Sequence, residues 1–146
     1  MKITKTNEFA LTKVDKENSM VFGFFSVNKI GDELLEDRQQ DLIETEELEK
    51  AAYDFVLNAR IAGEGHIRKG VGNLIESFMI TYDKMEAILK TVEDMGVAGA
   101  TFDLKMEGWW GGFQVTDADV LEKIEKGDYP MFSVGGRATE RIELED

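Results

Sequence analysis

The chain has 146 residues, 42% of them hydrophobic, so it is long enough for a single domain over residues 1–146 with a real core. It has no cysteine and one histidine, which excludes disulfides, thiol nucleophiles and cysteine- or histidine-rich metal sites. Thirty acidic against seventeen basic residues give a net charge of −13, which opposes binding to nucleic acid or to anionic membranes. Because no apolar run approaches the roughly 20 residues of a membrane span, we expect a soluble cytoplasmic protein.

The first third of the chain predicts strands followed by a helix. Two strand-like segments lie within residues 2–30, and residues 20–27 are the stronger one because they are aromatic and β-branched. Residues 32–54 hold ten acidic residues, which we interpret as a solvated loop and helix face. Inside this stretch, apolar residues at helical spacing predict a helix from about Thr45 to Arg60.

The middle of the chain predicts a long strand, a helix and a second strand. Residues 71–82 alternate as a strand does, and Asp83 with Glu86 resembles a capping box that begins a helix ending near Gly96. The run 108–115 is predicted as a strand that carries Trp109 and Trp110. Adjacent strand residues face opposite ways, so we expect one tryptophan in the core and the other at a groove or a subunit interface.

The last third predicts a helix and one final strand. Thr116 or Asp117 is expected to cap the helix and Gly127 to end it, before a strand over residues 131–144. Several strands separated by three helices predict an α+β fold built on a mainly antiparallel sheet or barrel.

One pairing of side chains points to hydrolytic chemistry. A serine hydroxyl needs a neighbouring base that titrates near neutrality, and only His66 can supply an imidazole. Of the possible partners, Ser19 and Ser26 lack an oxyanion-like context, and eleven residues of extended chain would carry Ser77 over about 30 Å from His66. Ser133 is distant in sequence, so folding is free to place it beside His66.

The surroundings of Ser133 supply the remaining candidates. Backbone N–H groups near Gly135, Gly136 or Arg137 are candidates for an oxyanion site. A third group that orients the imidazole would be a carboxylate, Glu140 or Glu143. A regular strand favours Glu143, ten positions from Ser133 and on the same face, whereas one bulge would favour Glu140. No metal and no cofactor is expected.

Five runs in matching order carry a resemblance that spans about residues 20–138. They are DLIE (41–44), LEKAAYDFV (48–56), HIRKGVG (66–72), GWWGGF (108–113) and MFSVGG (131–136). Together they resemble the phage serine proteases related to prohead, or capsid maturation, proteases, a branch of the herpesvirus assemblin-like superfamily. The family's histidine falls on His66 and its serine on Ser133. Herpesvirus relatives use a second histidine as third member, and this chain has none.

The resemblance implies a herpesvirus-protease-like β-barrel surrounded by about three helices. It also implies a serine endopeptidase that cleaves scaffold and capsid-protein extensions, with self-cleavage, inside the immature capsid in the host cytoplasm. The expected partners are the scaffold and the major capsid protein, and relatives that dimerise suggest a homodimer. Two alternatives stay open: a non-catalytic capsid-assembly or scaffold-binding protein on the same fold, and a hydrolase of small esters.

Overall fold

The computed structural model describes residues 11–36, 42–64, 68–127, 132–134 and 142–144; for residues 62–64, 68, 69 and the last two segments it describes the backbone alone. The elements in chain order are β1 (Leu11–Asp15), β2 (Met20–Ile30), β3 (Glu33–Leu34), α1 (Thr45–Asn58), β4 (Ile61–Glu64), β5 (Arg68–Ile80), α2 (Tyr82–Asp94), β6 (Met106–Val115), α3 (Ala118–Glu125), β7 (Phe132–Val134) and β8 (Ile142–Leu144).

All the strands belong to one sheet. Its order is β1-β2-β6-β5-β4-β8-β7, and β3 pairs with the end of β2. Each neighbouring pair among the first five strands of this order is antiparallel. β8 pairs antiparallel with β4, and β7 pairs parallel with β8. The described part of the chain is therefore α+β, with a mainly antiparallel sheet and three helices, which confirms that part of the prediction.

The sheet curves without closing. β7 lies last in the order, yet it comes close in space to β2 near the other end. Within the described ranges, however, no hydrogen-bonded ladder joins these two strands. The predicted barrel is therefore not confirmed.

The sheet has one buried face. Along β2 the buried residues Val21 and Phe25 alternate with Phe22 and Phe24, which are only half-buried. The core combines residues of β2, β5 and β6 with residues of α1 and α3, namely Val21, Phe25, Leu48, Ala52, Phe55, Val71, Met79, Trp109, Phe113, Val115, Val120 and Ile124. We call the side on which α1 and α3 pack the core face, and the other side the open face.

Aromatic rings fill the centre of the core. Trp109, 2% exposed, meets Phe25 and Phe55 edge-on, with ring centroids 4.9 and 5.5 Å apart, and Phe113 lies 5.3 Å from Phe25. Edge-to-face pairs of this kind add about 1 kcal/mol each beyond the burial of their area. The prediction that one tryptophan enters the core is confirmed, and it is Trp109.

The helix starts show which capping signals the chain uses. α1 agrees with its prediction within two residues. α2 begins two residues earlier than expected, because the hydroxyl of Thr81 accepts the hydrogen bond from the Lys84 N–H, so Thr81 rather than Asp83 is the cap. For α3, Asp117 accepts hydrogen bonds from the N–H groups of Asp119 and Val120, which decides between the two predicted caps.

The predicted single strand over residues 131–144 is wrong. Two three-residue strands, β7 and β8, lie side by side and parallel, and residues 135–141 between them fall outside the described residues. Two short strands allow β8 to pair with β4 on one edge and with β7 on the other. Pairing on both edges satisfies backbone groups that one extended strand at a sheet edge would leave to solvent.

Candidate active site

The last two strands bring two of the predicted site positions together. Ser133 in β7 is the register partner of Glu143 in β8, and Glu143 is in turn the register partner of Gly63 in β4. Neighbouring strands lie about 4.8 Å apart, so these three positions form one row across the sheet. The candidate nucleophile and one candidate carboxylate are therefore adjacent in the backbone.

Register also assigns this row to a face of the sheet. The next row runs from Val134 through Leu144 and Ala62 to Gly72, and it ends at Val115. Val115 is a buried core residue, and directly paired residues share a face, so this row belongs to the core face. Because successive strand residues alternate, the row of Ser133, Glu143 and Gly63 belongs to the open face.

The two candidate carboxylates differ in what the structure describes. The sequence favours Glu143 only if residues 131–144 form a single regular strand, and they do not. Glu143 lies beside Ser133 because two separate strands pair in this register. Glu140 lies outside the described residues. The role of either carboxylate in catalysis stays a prediction.

The predicted base and oxyanion groups also lie outside the described residues. His66 follows Glu64, the last residue of β4, by two positions, so their Cα atoms can be at most about 7 Å apart. Glu64 pairs with Ile142, which pairs with Phe132, the neighbour of Ser133. The position of His66 relative to Ser133 stays a prediction. Gly135, Gly136 and Arg137 directly follow β7.

The other serines that the sequence offered have different surroundings. Ser26 is 1% exposed in the middle of β2. Ser77 accepts a hydrogen bond of 2.8 Å from the indole N–H of Trp109. Ser19 lies between β1 and β2 with a positive φ of 58°. Neither Ser26 nor Ser77 belongs to the three strands that hold the row of Ser133, and Ser19 is in a turn.

One buried carboxylate was not anticipated. Glu107, at the start of β6, is 7% exposed and accepts hydrogen bonds from the Thr45 hydroxyl at 2.9 Å and the Tyr82 N–H at 3.0 Å. Lys29 approaches its carboxylate to 3.9 Å. Burial, followed by the charge of Glu107, raises the pKa of Tyr82, whose hydroxyl donates to the Gly31 carbonyl. Glu107 ties the starts of α1 and α2 to the sheet, so we assign it a structural role.

Neither a metal-binding cluster nor a membrane-spanning helix occurs among the described residues. Among the described side chains, no group of three or more His, Asp and Glu is placed to hold a metal ion. The helices of the described chain are too short or too polar to cross a membrane.

The fold and the site define a class, and comparison then gives the family. The described part of the chain is an α+β protein with a mainly antiparallel sheet, in which Ser133 and Glu143 lie on neighbouring strands. The family model described as "Putative phage serine protease XkdF" matches residues 8–143. The chain therefore belongs to this family of phage serine proteases. Searches of curated proteins and of solved structures gave no significant match.

Proposed function

We propose that this chain is a capsid maturation protease that hydrolyses peptide bonds in scaffold and capsid-protein extensions, and that it also cleaves itself. The observation that carries the proposal is the register of Ser133 beside Glu143 in a chain that belongs to a phage serine protease family. The approach of β7 to β2 supports a herpesvirus-protease-like barrel as the scaffold of this site.

The proposed mechanism assigns one role to each group. The Ser133 hydroxyl attacks the scissile carbonyl while His66 takes its proton, and backbone N–H groups at Gly135, Gly136 or Arg137 stabilise the oxyanion. His66 returns the proton to the leaving amine, which leaves an acyl-enzyme. Water then attacks the ester, with His66 again as base, and releases the acid and the free Ser133. Glu143 accepts the hydrogen bond that orients His66.

The setting follows from the same proposal. The substrates and partners are the scaffold and the major capsid protein, and the site of action is the immature capsid in the host cytoplasm. Two copies associate as a homodimer. The net charge of −13 supports basic segments as the preferred parts of these partners, because opposite charges steer association.

Cleavage of the natural scaffold is the direct test. Wild type and Ser133→Ala are each incubated with the scaffold protein of the same phage, and the products are followed by intact mass. We expect cleavage by wild type alone, since Ser133→Ala removes the nucleophile and leaves the backbone of β7 unchanged. Equal cleavage by both would overturn the assignment of Ser133. Binding without cleavage by either would favour the non-catalytic scaffold-binding alternative.

A matched pair of variants separates the two candidate carboxylates. Glu143→Gln and Glu140→Gln make the same chemical change three positions apart. We expect Glu143→Gln to lower kcat/KM by at least about 100-fold, because loss of the third group of a serine triad costs up to about 10⁴-fold. Glu140→Gln should stay within about threefold of wild type. The reverse order would move the orienting role to Glu140.

A further inference from the structure

The row that holds Ser133 and Glu143 continues onto one more strand. Gly63 in β4, the register partner of Glu143, is paired on its other side with Lys69 in β5. The row of Ser133 thus crosses four neighbouring strands, β7, β8, β4 and β5, and reaches Lys69. Directly paired residues share a face, so Lys69 belongs to the open face together with Ser133 and Glu143. The register therefore adds one basic residue to the row of the candidate site.

Lys69 and Glu143 occupy the positions on either side of a glycine. Gly63 carries no side chain, so the row has none between the lysine and the glutamate. Both residues pair directly with Gly63, which puts their register positions two strand spacings, or about 10 Å, apart. This relation depends on β5, β4 and β8 alone, whatever the curvature of the other strands. Opposite charges at this separation attract, because it is about the screening length at 0.1 M salt.

The other basic residue at the start of β5 has an acidic partner of its own. Arg68 is the register partner of Glu64 in β4, which is a cross-strand pair of opposite charges. Lys69 instead pairs with Gly63, and on its other side it lies beyond the end of the β5–β6 ladder. Within the described strands, Glu143 is therefore the first charged position that the row of Lys69 reaches.

We propose that Lys69 is a positioning residue of the active site and that it acts through Glu143. This inference rests on the proposed function, in which the Glu143 carboxylate orients His66. The third group of a serine triad must stay ionised to stabilise the imidazolium that forms during the reaction. Acidic neighbours disfavour ionisation, and the net charge of the chain is −13, whereas a cation favours it. The charge of Lys69 stabilises the ionised carboxylate on the side of the site.

A double-mutant cycle with the scaffold protein as substrate tests this role. Lys69→Met removes the charge and keeps an unbranched side chain, so it should lower kcat about tenfold and leave KM within about threefold of wild type. Lys69→Arg keeps the charge and should retain most of the activity. In a Glu143→Gln background, Lys69→Met should change kcat less than about twofold, because the carboxylate through which it acts is gone. Equal losses in both backgrounds, or none in either, would overturn the proposal.

The neighbouring arginine provides the matched control. Arg68→Met removes the same charge one position away in β5, on the other face of the strand. Arg68→Met should change kcat less than about threefold, because an effect that depends on the row does not extend to the next position. If Arg68→Met and Lys69→Met lowered kcat equally, net charge rather than the row would explain the loss, and the proposal would fail.

A stability measurement separates this inference from the proposed function. Urea unfolding of Lys69→Met, Glu143→Gln and the double variant reports the coupling of the two charges without any turnover. We expect the two changes to combine non-additively, by a factor of at least about threefold in the unfolding equilibrium constant, whereas Arg68→Met with Glu143→Gln should be additive. Coupling without cleavage by wild type would support the pairing of Lys69 with Glu143 and remove the catalytic function. Cleavage by wild type with additive effects would keep the protease and overturn the role of Lys69.

Discussion

Two adjacent glycines in β6 show how single residues shape the sheet. A Cβ on Gly111 would collide with the backbone oxygen of Glu76 in β5 and come within 2.8 Å of the Phe25 ring. A Cβ on Gly112 would come within 2.5 Å of the Phe22 ring, its nearest neighbour, and would lie 3.0 Å from the Val21 backbone oxygen. Backbone in a paired strand cannot move without breaking its ladder, whereas a half-buried ring can rotate. Gly111 therefore permits the pairing of β5 with β6, whereas Gly112 permits the stacking of Phe22 on Trp110.

Alanine substitutions should separate these two roles. We expect Gly111→Ala to lower the free energy of unfolding by about 3 kcal/mol and Gly112→Ala by about 1 to 2 kcal/mol, the range seen for overpacked sites. Urea unfolding followed by circular dichroism measures both. Gln114→Ala in the same strand is the control and should change stability by less than about 0.5 kcal/mol. A larger loss for Gly112→Ala than for Gly111→Ala would contradict the argument.

At the scale of elements, one lysine joins α1, α2 and β5. The Lys84 ammonium lies 2.6 Å from the Glu49 carboxylate and donates hydrogen bonds to the Tyr53 hydroxyl at 2.7 Å and the Met79 carbonyl at 3.1 Å. Burial alone would lower the pKa of Lys84, but Glu49 and Tyr53 outweigh it and raise that pKa above its ordinary value. The hydrogen bond from Lys84 lowers the pKa of Glu49.

These shifts predict how pH affects the contact. The Glu49 contribution is present above the unfolded pKa of about 4.3 and is lost as pH falls through the lower folded value. The Lys84 contribution is present below about 10.4 and is lost as pH rises through the higher folded value. We expect Lys84→Met to cost about 1 kcal/mol at pH 7 and progressively less towards pH 3, measured by urea unfolding.

An exposed lysine in the same helix serves as the control. Lys90 pairs with Asp94 at 3.2 Å, and both side chains are largely exposed. Solvent screens such pairs, so Lys90→Met should change stability by about 0.5 kcal/mol or less at every pH. If Lys84→Met cost the same at pH 3 as at pH 7, the ion pair would not be the source of its effect.

At the scale of the whole molecule, local patterns predicted the elements better than the contacts between them. The aromatic and β-branched residues along 20–27 and the spacing of apolar residues after Thr45 predicted β2 and α1, because both signals are local in the sequence. The burial of Glu107 could not be predicted, since its hydrogen-bond partners Thr45 and Tyr82 lie 62 and 25 positions away.

The candidate site shows the same division. Ser133 and Glu143 were predicted to share a face through the alternation of one long strand, yet they do so through the pairing of two strands. Strand pairing is non-local, and a seven-residue connection between parallel strands gives no sequence signal comparable to a hairpin turn. The topology that brings Ser133 and Glu143 together could therefore not be read from the sequence, and their catalytic roles stay predictions.

The net charge of the whole chain leads to a last prediction. At −13, like charges repel throughout the folded molecule, and salt weakens this repulsion by shortening the screening length from about 30 Å at 0.01 M to about 8 Å at 0.15 M. We expect the free energy of unfolding to rise by about 1 kcal/mol over that range and to change little beyond it. Sodium and choline chlorides should act alike, because screening depends on ionic strength and not on the ion. Stability that falls with added salt would show that attractive pairs such as Lys84 with Glu49 outweigh the overall repulsion.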